Sequence, residues 1–462
     1  MPLSFTLNPT DTDPLFLQIA ARVRAAIIGG QMAPGTRLPS CRALAVQLSV
    51  DRGTVEAAYA VLAGEGAIQT RSSAGAVVAG LAGTRIGLPE HTPFMFPAGA
   101  SVESAGPLPL QIGLPALDAF PSKLWSNLLA RAARGLRPAD LAEPNPCGLP
   151  ALRRAVASYL ASARGVTCAP EHVLITGGYQ GALALVRGVL VKPGDPVWVE
   201  DPGYPAARQA LEASGARVVP VRVDQDGMRV AAGKVAAPRA RLAVVTPTHQ
   251  YPMGVALSLP RRMELLVWAA ETGGWVLEDD YDSEFRYAGR PLPALKSLDR
   301  GQRVLYAGSF SKVLFPALRL GYLVVPPELA AAFVRAARLL TAGQPNLEQA
   351  VVAAFITSGH FGRHIRRMRV LYAERRTALS AAMGSGATLE MSLGGMHLLA
   401  RFPGAEDDTV LAKRALAAGL APTALSASGM AHDCGQGLLL GFPTVPAAEA
   451  ESVAARLRAA IG

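Results

Sequence analysis

Apolar residues recur at four-residue intervals at Leu15, Ile19, Val23 and Ile27, which predicts an amphipathic first helix. Gly29, Gly30, Pro34 and Gly35 then break the pattern. A short second helix is expected over residues 42–48, followed by a turn at residues 49–51. Val55, Tyr59 and Leu62 mark a third helix, ended at residues 64–66. After it, AIQTRSSAGAVVA reads as a two-stranded hairpin. Three helices and a hairpin make a winged helix-turn-helix, here over residues 13–79.

Periodicity then stops. Residues 80–109 carry five prolines and five glycines, which predicts a linker over residues 80–110, with Phe94, Met95 and Phe96 as anchors on a neighbouring surface. From residue 111 onward, short branched runs alternate with helical patterns. HVLITGG, DPVWVEDPGYP, RLAVVTPTHQ, GGWVLEDDYD and RVLYAGSFSK each end in polar, Gly or Pro residues. Such spacing predicts an α/β domain over residues 111–462, with a mainly parallel central sheet covered on both faces. Past about residue 335, long helices and a short mixed region predict a smaller C-terminal subdomain. In parallel sheets ligands gather beyond the strand C-terminal ends, and the chemically interesting groups fall there.

Composition narrows the classes. The 462 residues are 50% apolar and 17% charged, which excludes wholesale disorder. Four scattered cysteines argue against a disulfide scaffold or a Cys-based zinc site. No signal peptide or spanning apolar run is readable, so a cytoplasmic protein without a membrane partner is expected. Net charge is +10, yet residues 1–80 hold six arginines against five acids. DNA binding therefore has to come from a few placed side chains rather than a basic tail. Arg52 and Thr54 at the leading end of the third helix suit a major groove; Arg37, Ser40 and Arg42 suit phosphates, and Arg71 suits the wing. Ordinary solvated arginines are the plain alternative.

The sharpest chemical signal is GSFSKVLFPALRLGY, residues 308–322. A strand delivers Ser309, Ser311 and Lys312 to the sheet edge, with Arg319 following. An amine there can form a Schiff base with an aldehyde cofactor, while the hydroxyls and guanidinium hold a phosphate. A surface Lys and Arg beside a loop is the competing reading. VLEDDYDSEFRY, residues 276–287, ends another strand in acid and tyrosine; a carboxylate there can keep a pyridine nitrogen protonated. A metal on Glu278, Asp279, Asp280 and Asp282 is disfavoured, because adjacent acids cannot all point inward and no His cluster accompanies them. ITGGYQGAL, residues 175–183, offers open amides where a strand turns into a helix. Tyr204 in EDPGYP can lie against a flat ring.

These segments carry two resemblances. Residues 13–79 resemble the winged-helix domain of the GntR family of bacterial regulators, with departures at Cys41, Asp51 and the SSAGAV wing. Residues 111–462 resemble fold-type I, class I aminotransferases. That resemblance implies pyridoxal 5'-phosphate as cofactor, with Lys312 its covalent lysine, Asp279 facing the pyridine nitrogen and Tyr281 near the ring hydroxyl. It further implies Tyr204 stacking on the ring, with Gly178, Tyr179, Gln180, Ser309, Ser311 and Arg319 on the phosphate side. Two departures stand out. Tyr251 occupies the usual Asn position, where His249 or Gln250 can substitute, and residues 427–443 lack the arginine that usually grips a substrate carboxylate. Arg208 or a partner-subunit arginine can replace it.

The combination resembles the MocR/GabR subfamily of GntR-type transcriptional regulators. It implies a homodimeric regulator of promoter DNA that senses a small amine, an amino acid or pyridoxal phosphate itself by aldimine exchange at Lys312. A working aminotransferase with a DNA-binding appendage is the alternative.

Overall fold

The computed structural model describes residues 5, 7–8, 13–71, 75–79, 106–289, 292–402, 404 and 407–461. The chain forms two compact units, Met1–Val102 and Glu103–Gly462. Most of the expected linker, residues 80–105 with Phe94, Met95 and Phe96, lies outside the described residues.

The first unit contains α1 (Leu15–Ile28), α2 (Cys41–Leu48), α3 (Arg52–Gly64) and the antiparallel strands β1 (Ile68–Arg71) and β2 (Gly75–Val78). The four-residue apolar spacing produces its core, in which Ile19, Val23, Leu44, Val55, Tyr59 and Leu62 are buried together. Ser40 fixes the start of α2, where its hydroxyl accepts the Ala43 N–H at 3.2 Å. Tyr59 closes the unit by donating to the Pro39 carbonyl at 2.9 Å.

The second unit begins with α4 (Ser122–Arg134) and α5 (Pro150–Arg164). Its sheet is laid down by β3 (Val173–Thr176), β4 (Pro196–Asp201), β5 (Arg217–Asp224), β6 (Gly227–Met228), β7 (Leu242–Val245), β8 (Trp275–Asp280), β9 (Val304–Ser309) and β10 (Gly321–Val324). Between them run α6 (Gly178–Leu190), α7 (Pro205–Glu212), α8 (Val230–Ala236), α9 (Leu259–Thr272) and α10 (Leu295–Leu298). Across the sheet the order is β3-β10-β9-β8-β7-β4-β5-β6. The run from β9 to β5 is parallel, whereas β10 is antiparallel to both β9 and β3.

Strand side chains alternate between two cores. Leu305 and Ala307 enter one and Tyr306 the other, so both faces are covered and the strands read as continuous apolar runs. In β5 Pro220 interrupts the apolar run, and β10 follows two residues after a 3-10 turn, Pro316–Leu318.

Helices α11 (Ala330–Leu340), α12 (Asn346–Thr357) and α13 (His360–Met383) lead to the C-terminal subdomain. There β11 (Thr388–Glu390), β12 (His397–Arg401), β13 (Thr423–Ala424) and β14 (Leu438–Gly441) form an antiparallel sheet, with α14 (Asp408–Ala417) and α15 (Ala450–Ile461) beside it. Among the described residues no helix is long and apolar enough to cross a membrane.

Candidate cofactor site

The insertion of β10 between β3 and β9 builds one end of the site. Gly321 pairs with Ser309 on one side and Thr176 on the other, which brings the turn after β9 beside the turn that starts α6. Only glycine fits at that junction: a Cβ on Gly321 would lie 2.8 Å from the Gly308 carbonyl oxygen and 3.0 Å from the Gly178 Cα. Arg319 donates to the Gly177 carbonyl at 3.3 Å, so its guanidinium stands at the α6 N-terminus. Ser309 Oγ accepts the Ser311 N–H at 3.2 Å. Gly178, Tyr179 and Gln180 form the first turn of α6, whose leading N–H groups have no partner within the helix. This end can hold a phosphate through backbone amides, a helix dipole and a guanidinium.

Lys312 follows in the same turn. Its Nζ donates to the Gly113 carbonyl at 2.8 Å, across 199 residues of chain. Gly113 has φ +77°, and a Cβ on it would lie 2.5 Å from that nitrogen. Burial pushes the Lys312 amine below the usual lysine range, against the pull of Asp282 and Asp279. The amine is biased toward its neutral, nucleophilic form.

The acids that end β8 and the one just past it point to different places, with strand alternation turning Asp279 away from Glu278 and Asp280. Glu278 accepts the backbone N–H groups of Leu295 and Lys296. Asp280 takes Arg164 at 2.8 Å and the Tyr306 hydroxyl. Asp279, between them, faces a cavity lined also by Tyr179, Glu200, Tyr204, Arg208, Thr246 and Met430. Burial, then the carboxylates of Asp280 and Glu200, push the Asp279 carboxyl well above its usual range. A cationic ring nitrogen is the kind of partner that would draw it back to the charged form. Among the described residues no group of three or more His, Cys, Asp or Glu side chains is placed to hold a metal ion.

Tyr281 is engaged by His249, whose Nδ1 lies 2.9 Å from the Tyr281 hydroxyl and 3.0 Å from Asp282. An ionised Asp282 only accepts, so Nδ1 is assigned the proton and the Tyr281 hydroxyl keeps its own proton to donate. Tyr204, 42% exposed, presents its ring at the start of α7, with Tyr179 at 6.1 Å and Tyr251 at 5.7 Å between centroids. Tyr251 therefore contributes an aromatic edge where an Asn amide is usual.

Sequence reasoning missed Gly113, which no local pattern marks, and Glu200, visible only as one acid in VEDPGYP. Glu200 is buried and hydrogen-bonded to Thr246, and burial raises its carboxyl to about 7.

In the first unit Arg52 opens α3, half-buried Thr54 follows it, and Arg52 pairs with Glu56 at 2.7 Å. Arg37 and Arg42 are exposed, and Ser40 is occupied as the cap of α2. Arg71 ends β1, and its side chain lies outside what the structure describes.

The family model for aminotransferase class I and II matches residues 127–436, and that for bacterial regulatory proteins, gntR family, matches residues 15–78. A probable rhizopine catabolism regulatory protein, MocR of Rhizobium meliloti, is 38% identical over 93% of this chain and 90% of its own. The HTH-type pyridoxine biosynthesis transcriptional regulator PdxR of Corynebacterium glutamicum is 32% identical over 95% and 94%. Among solved structures, LysN, an α-aminoadipate aminotransferase of Thermus thermophilus complexed with N-(5'-phosphopyridoxyl)-L-leucine, superposes with a TM-score of 0.69 at 31% identity. That match covers 77% of this chain and 92% of LysN.

Proposed function

The chain belongs to the MocR-type GntR regulators, in which a gntR-family DNA-binding domain is joined to an aminotransferase class I and II domain, and from this we propose a transcriptional regulator that reads a small amine at Lys312. Its cofactor is pyridoxal 5'-phosphate, which when bound supplies an aldehyde for reversible capture of amines and a ring that withdraws electrons.

The observation that carries the reading is the Lys312 amine, desolvated and held at the Gly113 carbonyl in the turn that also presents Ser309, Ser311 and Arg319. The first turn of α6, Ser309, Ser311 and Arg319 would hold the cofactor's phosphate. With the cofactor bound, Asp279 would keep a proton at a pyridine nitrogen, Tyr204 would lie against a flat ring, and the Tyr281 hydroxyl would be free to donate to an oxygen on it. The Lys312 amine would hold the aldehyde until another amine competes for it, and the Gly113 carbonyl is placed to hold the lysine nitrogen when it is free. That exchange alters charge and packing at the end of β9. If two arrangements of the chain differ in how well they accept it, promoter affinity shifts by the difference. Arg52 and Thr54 on α3 enter the major groove, Arg37, Ser40 and Arg42 meet phosphates, and Arg71 serves the wing. We place the protein in the cytoplasm as a homodimer on paired half-sites.

The test uses purified holoprotein. Borohydride is expected to fix the cofactor on the peptide containing Lys312, and Lys312→Ala is expected to abolish the visible absorption band while leaving the far-ultraviolet circular dichroism unchanged. An unlabelled peptide, or an unchanged band in the variant, overturns the assignment. A second reading is favoured by the neutral bias of Lys312, since a neutral amine can also move protons: real transamination, detected as keto acid formed from an amino acid in the same preparation.

A further inference from the structure

The stretch that follows β8 and the one that precedes β12 meet in an antiparallel bridge between Arg286 and Gly394. The Gly395 N–H donates to the Phe285 carbonyl at 2.7 Å, and the Tyr287 N–H to the Leu393 carbonyl at 3.0 Å. No larger residue fits at Gly394, where a Cβ would lie 2.8 Å from the Phe285 carbonyl oxygen. The backbone that carries Arg286 is thus fixed by the segment facing it.

Beside this junction lies a further cavity of about 290 Å³, close to the lower end of the size range of small-molecule pockets. Of the groups named in the cofactor site, only His249 and Asp282 also line it. Two of its polar side chains lack partners among the described residues, since the Arg286 Nε and the Ser283 hydroxyl are both buried without a hydrogen bond. The acids on the same wall are already engaged: Asp282 pairs with His249 at 3.0 Å, and Glu390 pairs with Arg401. Buried donors left unmet are costly, and a carboxylate, which only accepts, answers both of these. Much of the remaining wall is apolar, with Phe285 buried and Met253, Met391 and Leu393 beside it. Met391 and Leu393 are half-exposed. A bare inorganic anion would leave these side chains wet, whereas an anion with an apolar body covers them.

We propose that this cavity binds a small amphipathic carboxylate, with its acid group on Arg286 and Ser283 and its apolar body on Met253, Met391 and Leu393. Such a ligand needs no amine, and the site stands independently of the reading of Lys312.

The test titrates holoprotein calorimetrically with hexanoate and benzoate, and with hexanamide and benzamide as their uncharged counterparts. At least one carboxylate is expected to bind roughly tenfold to hundredfold more tightly than its amide. Arg286→Gln is expected to erase that difference while the visible absorption band of the cofactor is kept, and Arg286→Lys to fall between. Met391→Glu sets an acid at an exposed edge of the cavity and is expected to weaken carboxylate binding roughly tenfold. Arg208→Gln, in the cofactor cavity, is expected to leave the preference unchanged. The proposal is overturned by an absence of carboxylate preference in the wild type or by a preference unchanged in Arg286→Gln. A preference abolished by Arg208→Gln would place the probe in the cofactor cavity and overturns it too. Should Arg286→Gln lose the fold, Met391→Glu decides, and unchanged affinity there overturns the proposal as well.

Discussion

On α3 of the small unit, Arg52 and Glu56 pair at 2.7 Å in water, with side chains 71% and 48% exposed; in the large unit, Arg164 and Asp280 pair at 2.8 Å almost out of solvent. The geometry is nearly the same and the energetics are not. An exposed i,i+4 pair contributes about 0.3–0.5 kcal/mol, so Arg52 is held loosely and can exchange Glu56 for a nucleic-acid partner. Removing one member of a buried pair costs about 3–5 kcal/mol, because the other charge is left without compensation. The small unit thus leaves Arg52 exposed and loosely paired, whereas the large unit uses Arg164 to hold the end of β8 in place.

Arg164→Ala would sharpen this contrast most. Urea unfolding of the large unit is expected to lose roughly 3–5 kcal/mol while the small unit melts unchanged, since Asp280 would keep the Tyr306 hydroxyl but lose its cation. A loss below about 1 kcal/mol would break the comparison.

Next in size is a pH effect confined to the large unit. Glu200 and Glu278 are each raised by burial from 4.5 to about 7. Their folded values lie above their unfolded ones, so the stability linked to their protonation is fully present below about 4.5 and is lost as pH rises through about 7. Glu200→Gln is expected to remove its share of that slope, roughly 3 kcal/mol at most, in denaturation of cofactor-free protein between acid and neutral pH. An unchanged slope would contradict the assignment.

Arg52→Ala should act on the small unit in the opposite sense. Operator affinity in a gel-shift titration is expected to fall by about 1–3 kcal/mol, with thermal stability altered by less than about 0.5 kcal/mol. Equal operator affinity would remove Arg52 from the groove.

The same division governs what could be read in advance. The apolar runs named in the sequence are β3, β4, β7, β8 and β9, because each is buried on both faces and bounded by Gly, Pro or acid. Groups that follow such a run within a few residues, such as Lys312 or Asp279, are visible from spacing. Partners supplied from afar are not: Gly113 reaches Lys312 across 199 residues, Arg164 reaches Asp280 across 116, and Asp282 meets His249 across 33. Tyr281 shows the limit, since no local pattern tells that an imidazole holds its oxygen. Asp201 is a further case, an ordinary acid in EDPGYP until the fold brings the distant 430–432 backbone onto it.

That last carboxyl has a mechanical consequence. Its two oxygens gather the backbone N–H groups of Met430, Ala431 and His432, so the loop bearing Met430 is fastened to the tip of β4. The loop is thereby tied, together with the Gly203 N–H on the Ser428 carbonyl, to the strand whose end leads into Tyr204.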